Sequence, residues 1–273
     1  MMQRAKGFTL IELIIVIVLL SIVAIFSFRF VGLGSEMFVT GADRVKLLDQ
    51  SRFTIERVTR ELRNSVPNSA RVLTSSDNSF QCLEFVPIKT AGTYYGAPFS
   101  SGANGQFEFV SLATGWPDIT PADRLFVYAT KESDIYSDAA ARERWGTVSA
   151  VTERAGDNTE LVLDSGQYFA ERSPRQRMYV GALPVSFCVD SGGQLIRYRD
   201  YGWNETQVRP PANTGAVIGE RLVNLQPSGT QLPFKVDDAT LLRNNVIHVF
   251  LEYRSASSEA LFFNQEIQVP NAP

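Results

Sequence analysis

Lys6-Gly7-Phe8-Thr9-Leu10-Ile11-Glu12-Leu13 opens the stretch that decides the architecture, and it continues as Ile14-Ile15-Val16-Ile17-Val18-Leu19-Leu20-Ser21-Ile22-Val23-Ala24-Ile25-Phe26-Ser27-Phe28. Of the 21 residues from Phe8 to Phe28, 17 are apolar, and the others are Thr9, Glu12, Ser21 and Ser27. A helix of that length spans roughly 31 Å, which matches a bilayer hydrocarbon core. No other stretch of the 273 residues approaches it, so the sequence predicts a single membrane anchor. Arg4 and Lys6 stand just before the apolar run. The positive-inside tendency holds that end in the cytoplasm and exports everything after Arg29.

Two simpler readings compete. A secretory signal peptide has an apolar core of about 7 to 15 residues followed by small residues at a cleavage site. This run is longer, and Arg29-Phe30-Val31 offers no such site. A plain signal anchor explains the hydrophobicity but not Glu12. A carboxylate inside an otherwise uncharged span costs about 2 to 3 kcal/mol on insertion scales and normally has a partner. A local account is a capping box, with Thr9 as N-cap and Glu12 folding back to its amide. That account leaves the Gly7-Phe8 junction unexplained.

The contiguous run Lys6 to Leu13 resembles the type IV prepilin signature shared by pilins and the pseudopilins of type II secretion. The resemblance implies that a membrane prepilin peptidase cuts between Gly7 and Phe8 and that Phe8 becomes an N-methylated first residue. It also implies that Glu12 is the glutamate buried among subunits. Removing the leader takes away Arg4 and Lys6 and shifts the net side-chain charge from −3 to −5. The new ammonium on Phe8 would be neutralised by a neighbouring subunit's Glu12 in an apolar bundle, where an unpaired charge is expensive. Ile11, Ile14, Ile15, Val18, Leu19 and Ile22 would supply contact area, and the ion pair would select one stagger. The implied partners are the prepilin peptidase, other pilin or pseudopilin subunits through this helix, the inner membrane and a pilus assembly platform. The implied location is the bacterial inner membrane with the head in the periplasm, then the fibre.

The expected organisation is a leader over 1–7, a transmembrane and assembly helix over 8–28, an amphipathic stalk over 29–66 and an exported β-rich head over 67–273. Gly32, Gly34 and Gly41 disfavour helix by about 1 kcal/mol each, which predicts a flexible or locally melted joint. Major pilins often place a proline there, and this chain has none. Helical spacing resumes with Val45, Leu48, Ile55, Val58, Leu62 and Val66. Arg52, Glu56, Arg57, Arg60, Glu61 and Arg63 fill a charged face with i,i+4 pairs such as Glu56 with Arg60. The helix should end before Pro67.

From residue 70 the pattern turns to short β-like runs: Cys82–Val86, Phe107–Leu112, Arg124–Ala129, Leu161–Leu163, Val185–Val189, Leu195–Tyr201 and Val246–Tyr253. Hairpins are expected over Val185–Tyr201 and between Val246–Tyr253 and Leu261–Val269. No helical crossovers alternate with the strands, so the fold class is α+β, a long helix packed on a mainly antiparallel, pilin-like head. Cys82 and Cys188 form an even pair in an exported domain, which reads as a disulfide worth about 4 to 5 kcal/mol in the chain-entropy model. The alternative is two buried thiols that never meet.

The balance of 26 Lys plus Arg against 29 Asp plus Glu disfavours a nucleic-acid surface. One His and two Cys exclude zinc fingers and disulfide-dense scaffolds. No P-loop, G-x-S-x-G, G-x-G-x-x-G or H-E-x-x-H occurs, so no catalytic residues, metal or cofactor are expected and the chain reads as non-enzymatic. His248 lies in an apolar run and reads as a packed strand residue. Asp134, Asp138 and Asp237-Asp238 lack EF-hand spacing and read as loop acids. Tyr94, Tyr95, Trp116, Trp145, Tyr201 and Trp203 fall in loop-like segments, where core filling outweighs recognition of a partner or glycan.

The size of the head, with Cys82–Pro87, Phe187–Asp190 and the segment Gln268–Pro273, resembles the minor pilins of mannose-sensitive haemagglutinin pili. A J-type minor pseudopilin of a type II secretion system is the alternative. A signal-anchored periplasmic binding protein or enzyme is the reading from another class.

Overall fold

The structure, a computed structural model, describes residues 7, 9–111, 119–121, 123–138, 144–153, 158–227, 229–237, 245–256 and 259–269. It is α+β, with one long N-terminal helix packed against an antiparallel β-rich head in a pilin-like architecture.

Helix α1 runs from Leu10 to Arg63 over 54 residues. Thr9 caps it, its hydroxyl accepting from the Glu12 amide at 3.4 Å. Arg60 and Arg63 in the last turn suit the negative end of the helix dipole. The Asn64 amide closes the end on the Glu61 carbonyl, and Asn68 then turns the chain in the left-handed region at φ 64°. The joint expected at Gly32, Gly34 and Gly41 is continuous helix. Three separated glycines lower helix propensity by about 1 kcal/mol each, but the better helix formers around them keep the hydrogen-bond ladder intact.

The strands follow as β1 (Arg71–Thr74), β2 (Phe80–Phe85), β3 (Ile88–Tyr95), β4 (Gln106–Ser111) and β5 (Arg124–Phe126). After a short helix α2 (Ser133–Tyr136) come β6 (Trp145–Glu153), β7 (Asn158–Leu163), β8 (Arg177–Gly181), β9 (Val185–Asp190) and β10 (Leu195–Tyr198). The last are β11 (Gly215–Gly219), β12 (Phe234–Asp237), β13 (Asn245–Arg254) and β14 (Ala260–Val269). They build a five-stranded sheet in the order β1-β2-β9-β10-β11, a three-stranded sheet β12-β13-β14, and a closed barrel β3-β4-β7-β6-β5-β8.

Both hairpins form. Strands β9 and β10 pair, with Gly193 in the turn at φ +81° and so close to the Leu222 carbonyl that a Cβ would sit 2.5 Å from it. Strands β13 and β14 pair along their whole length, from Asn245 opposite Val269 to Arg254 opposite Ala260. The run Arg124–Ala129 is cut to β5 because Tyr128 leaves the extended region at φ 53°. Leu112 lies outside the described residues.

The barrel is an excursion between two neighbours. Strands β2 and β9 pair directly, and every barrel strand falls between them in sequence. Cys82 stands opposite Cys188 in that pairing, and the two are joined as a disulfide. The bond therefore closes the neck of the insertion.

The main core lies where three elements meet. Leu47, Ile55, Val58 and Leu62 of α1 pack with Leu83, Phe85 and Phe187 of the larger sheet and Ile247, Val249 and Leu251 of the smaller one. The barrel has its own core around Phe107, Phe109, Leu125, Leu161 and Phe169. The packed stripe of α1 differs from the expected one at its start: Leu47 is buried at 3% exposure, whereas Val45 is 59% exposed. Ser51 and Thr54 complete it, and the Thr54 hydroxyl bonds the Ile218 carbonyl at 2.7 Å.

Candidate functional site

The site with a readable chemistry is the front of α1. Phe8 and the leader residues, Arg4 and Lys6 among them, lie outside the described residues. Gly7 is exposed, and a Cβ built on it meets nothing within 4 Å. Packing against the described residues sets no need for glycine at that position.

Half of a capping box forms. Thr9 accepts from the Glu12 amide, but the Glu12 carboxylate bonds nothing among the described residues and is exposed. The capping account thus satisfies one helix amide and leaves the carboxylate without a bond among the described residues. Beyond it the helix is apolar on all sides, and every residue from Leu13 to Phe30 is exposed. Ser21 returns its hydroxyl to the Ile17 carbonyl at 2.8 Å, so its polar group is met inside the helix. This is one helix long and apolar enough to cross a membrane, with a single acid near its start.

Polar clasps fix the other end of α1 to the head. Asp43 accepts from Arg221 at 2.6 Å and from the Ala256 amide at 3.0 Å. The hydrogen bond from Arg221, then that from Ala256, holds the Asp43 carboxyl below its ordinary value. Glu61 receives Arg197 of β10 at 2.8 and 3.1 Å and Arg57 of its own helix at 3.0 Å. The expected pair of Glu56 with Arg60 is replaced by Arg57 with Glu61, because Glu61 faces the sheet while Glu56 and Arg60 point to solvent.

Inside the head, Arg71 and Glu84 form a buried ion pair between β1 and β2. The Tyr201 hydroxyl donates to Glu84 at 2.7 Å, and the Arg71 guanidinium lies 3.6 Å from the centre of the Tyr136 ring. Burial pushes the Glu84 carboxyl up, against the attraction of Arg71. Sequence reasoning missed this network, since Arg71 and Glu84 look like ordinary strand polar residues until the strands pair.

The remaining candidates have structural partners. His248 Nε2 lies 3.0 Å from Asp237, with Glu266 at 3.7 Å from Nδ1, on the outer face of the smaller sheet. Asp134 accepts from the Thr130 and Lys131 amides and the Thr130 hydroxyl. Among the described residues no group of three or more His, Cys, Asp and Glu could hold a metal ion. Tyr94 and Trp145 are buried, and Tyr201 and Trp203 are half-buried; Tyr95 is exposed, and Trp116 and Asp238 lie outside the described residues.

The family profile for the prokaryotic N-terminal methylation motif matches residues 2–28. No curated protein and no solved structure matches the chain. The N-terminus is thus prepilin-like, as in pilins and pseudopilins, and the motif implies processing by a prepilin peptidase and assembly with pilin subunits in general.

Proposed function

We propose that this chain is a minor pilin-like subunit that helps assemble a type IV pilus of the mannose-sensitive haemagglutinin type, similar to the biogenesis protein MshO. In this reading it is cleaved after Gly7, N-methylated on Phe8, held in the inner membrane by residues 8–28 with its head in the periplasm, and then drawn into the fibre by the assembly platform. The observation that carries the reading is Glu12: an exposed carboxylate that bonds nothing among the described residues, at the start of an otherwise uncharged apolar run and one turn from the expected cleavage junction, within the matched motif. Such a charge calls for an opposite one from outside the chain. The ammonium on a neighbouring subunit's first residue answers that need and sets helix stagger. The large head, with a barrel inserted in its sheet, suits a low-copy subunit that makes specific contacts.

Mass spectrometry of the N-terminal peptide from cells with active prepilin peptidase should find N-methylated Phe8. A chain still beginning at Met1 or Met2 overturns the processing step. Glu12→Val should insert normally yet fail to enter fibres, and normal incorporation refutes the pairing role. Recovery with a secretion complex in place of sheared pili would assign the chain to the J-type pseudopilins, which share the motif.

A further inference from the structure

A cleft of about 550 Å³ separates the barrel from the five-stranded sheet. The barrel side brings Lys89, Asp123 and Arg124, and the sheet side brings Arg197, Arg199 and Asp200. Its volume is that of small-molecule sites, which run from about 300 to 1,000 Å³.

Most of its charges are already neutralised. Lys89 bonds Asp123 at 2.9 Å, and the same carboxylate oxygen accepts from the Thr120 amide at 2.8 Å. Arg197 is held by Glu61 at 2.8 Å, and Arg199 lies 3.4 Å from Asp200. Arg124 is the exception. It is only 9% exposed, and no carboxylate pairs with it among the described residues; Asp138 acts on it only at longer range. Its guanidinium rests 3.7 Å from the centre of the Trp145 ring and 4.1 Å from that of Trp203. Nη1 donates to the Ile135 carbonyl at 3.2 Å, while Nε and Nη2 donate to nothing among the described residues.

We propose that this cleft binds a small carboxylate-bearing molecule, with Arg124 as its anchor. A guanidinium offers its Nε and Nη2 hydrogens side by side, the spacing of a carboxylate's two oxygens. The aromatic rings hold that fork in place, so little order is lost on binding. A cation with no directly paired carboxylate among the described residues suits a single negative charge, which favours a carboxylate over a doubly charged phosphate. Burial draws the Arg124 pKa down to about 10, so the cation persists at neutral pH while gaining from an anionic partner. The inference stands independently of the pilus reading.

The test is a ligand-observed NMR titration of the full chain in detergent micelles, with empty micelles as blank and the monocarboxylates galacturonate and butyrate as probes. At least one acid should saturate below about 10 mM, a weak but specific affinity, and neutral galactose should not. Arg124→Lys keeps the charge and loses the fork, and should weaken binding about tenfold or more. Leu183→Trp adds bulk at the exposed rim without touching the packing of Arg124, and should block entry. Wild-type affinity in either variant overturns the proposal, as does failure of both acids to saturate. Inorganic phosphate binding as well as the better acid overturns the carboxylate assignment. An acidic hexapeptide binding more than tenfold tighter than either acid overturns the small-molecule reading in favour of a protein contact.

Discussion

The two ends of α1 share one secondary structure and almost nothing else. From Thr9 to Ala42 every residue is exposed; from Leu47 to Leu62 a stripe of side chains is sealed into the main core. The front is apolar on all faces, so it has no preferred side to turn toward a head and suits surroundings that are apolar all round. The rear carries one apolar stripe with Arg52, Glu56 and Arg60 left in water, which tells it which way to face. A continuous helix can therefore be stabilised by lipid or other helices at one end and by its own domain at the other.

If the two ends are energetically separate, damage to the head should leave the front untouched. The largest effect is expected from Cys82→Ser, which frees the neck of the barrel insertion. The closed loop spans a sequence separation of 106, and its release should cost about 4 kcal/mol. Urea unfolding of the full chain in micelles would show the loss, with membrane insertion unchanged. Next comes Leu62→Ala in the packed end, at 0% exposure, which should cost about 3 kcal/mol in the same measurement. Glu61→Gln weakens the tie to Arg197 and should cost about 1 kcal/mol.

A pH titration probes the boundary between the two ends. Asp43 has a folded pKa below the ordinary 3.8, so its clasp contributes above that value and is lost as pH falls through the folded one. The NMR shift of the Ala256 amide, which donates to Asp43, should titrate with a midpoint below 3.8, and Arg221→Ala should move the midpoint upward. The smallest effect on the head is expected from Ile15→Ala at the bare end. It should change urea stability by less than about 0.5 kcal/mol, and a larger loss would mean that the two ends are coupled.

The strands that were legible in sequence, in whole or in part, are those with apolar or alternating runs: β2, β4, β5, β7, β9, β10, β13 and β14. Those that were not are short, polar or glycine-interrupted, such as Arg71–Thr74, Ile88–Tyr95 and Gly215–Gly219. Gly92 within β3 shows why. A Cβ there would sit 2.1 Å from the Val110 carbonyl, so what looks like a strand breaker is a requirement of close strand approach inside a barrel. The barrel itself had no signal, because closure depends on which strands meet, and local periodicity is the same for open and closed sheets. Arg124 was likewise an ordinary strand arginine until β5 placed it beside Trp145 and Trp203.

The sequence by itself determined the apolar front of α1 with the acid Glu12 near its start, the amphipathic switch along α1 and the antiparallel character of the head. Each is written in residues that are near one another along the chain, where hydrophobic period and capping act within a few turns. Only the tertiary structure decided that Glu61 reaches across to Arg197, that Cys82 faces Cys188 at the neck of a barrel, and that buried Arg124 is left without a paired carboxylate among the described residues. These depend on contacts between residues far apart in sequence, whose energies exist only once the sheets have formed and water has been excluded from between them.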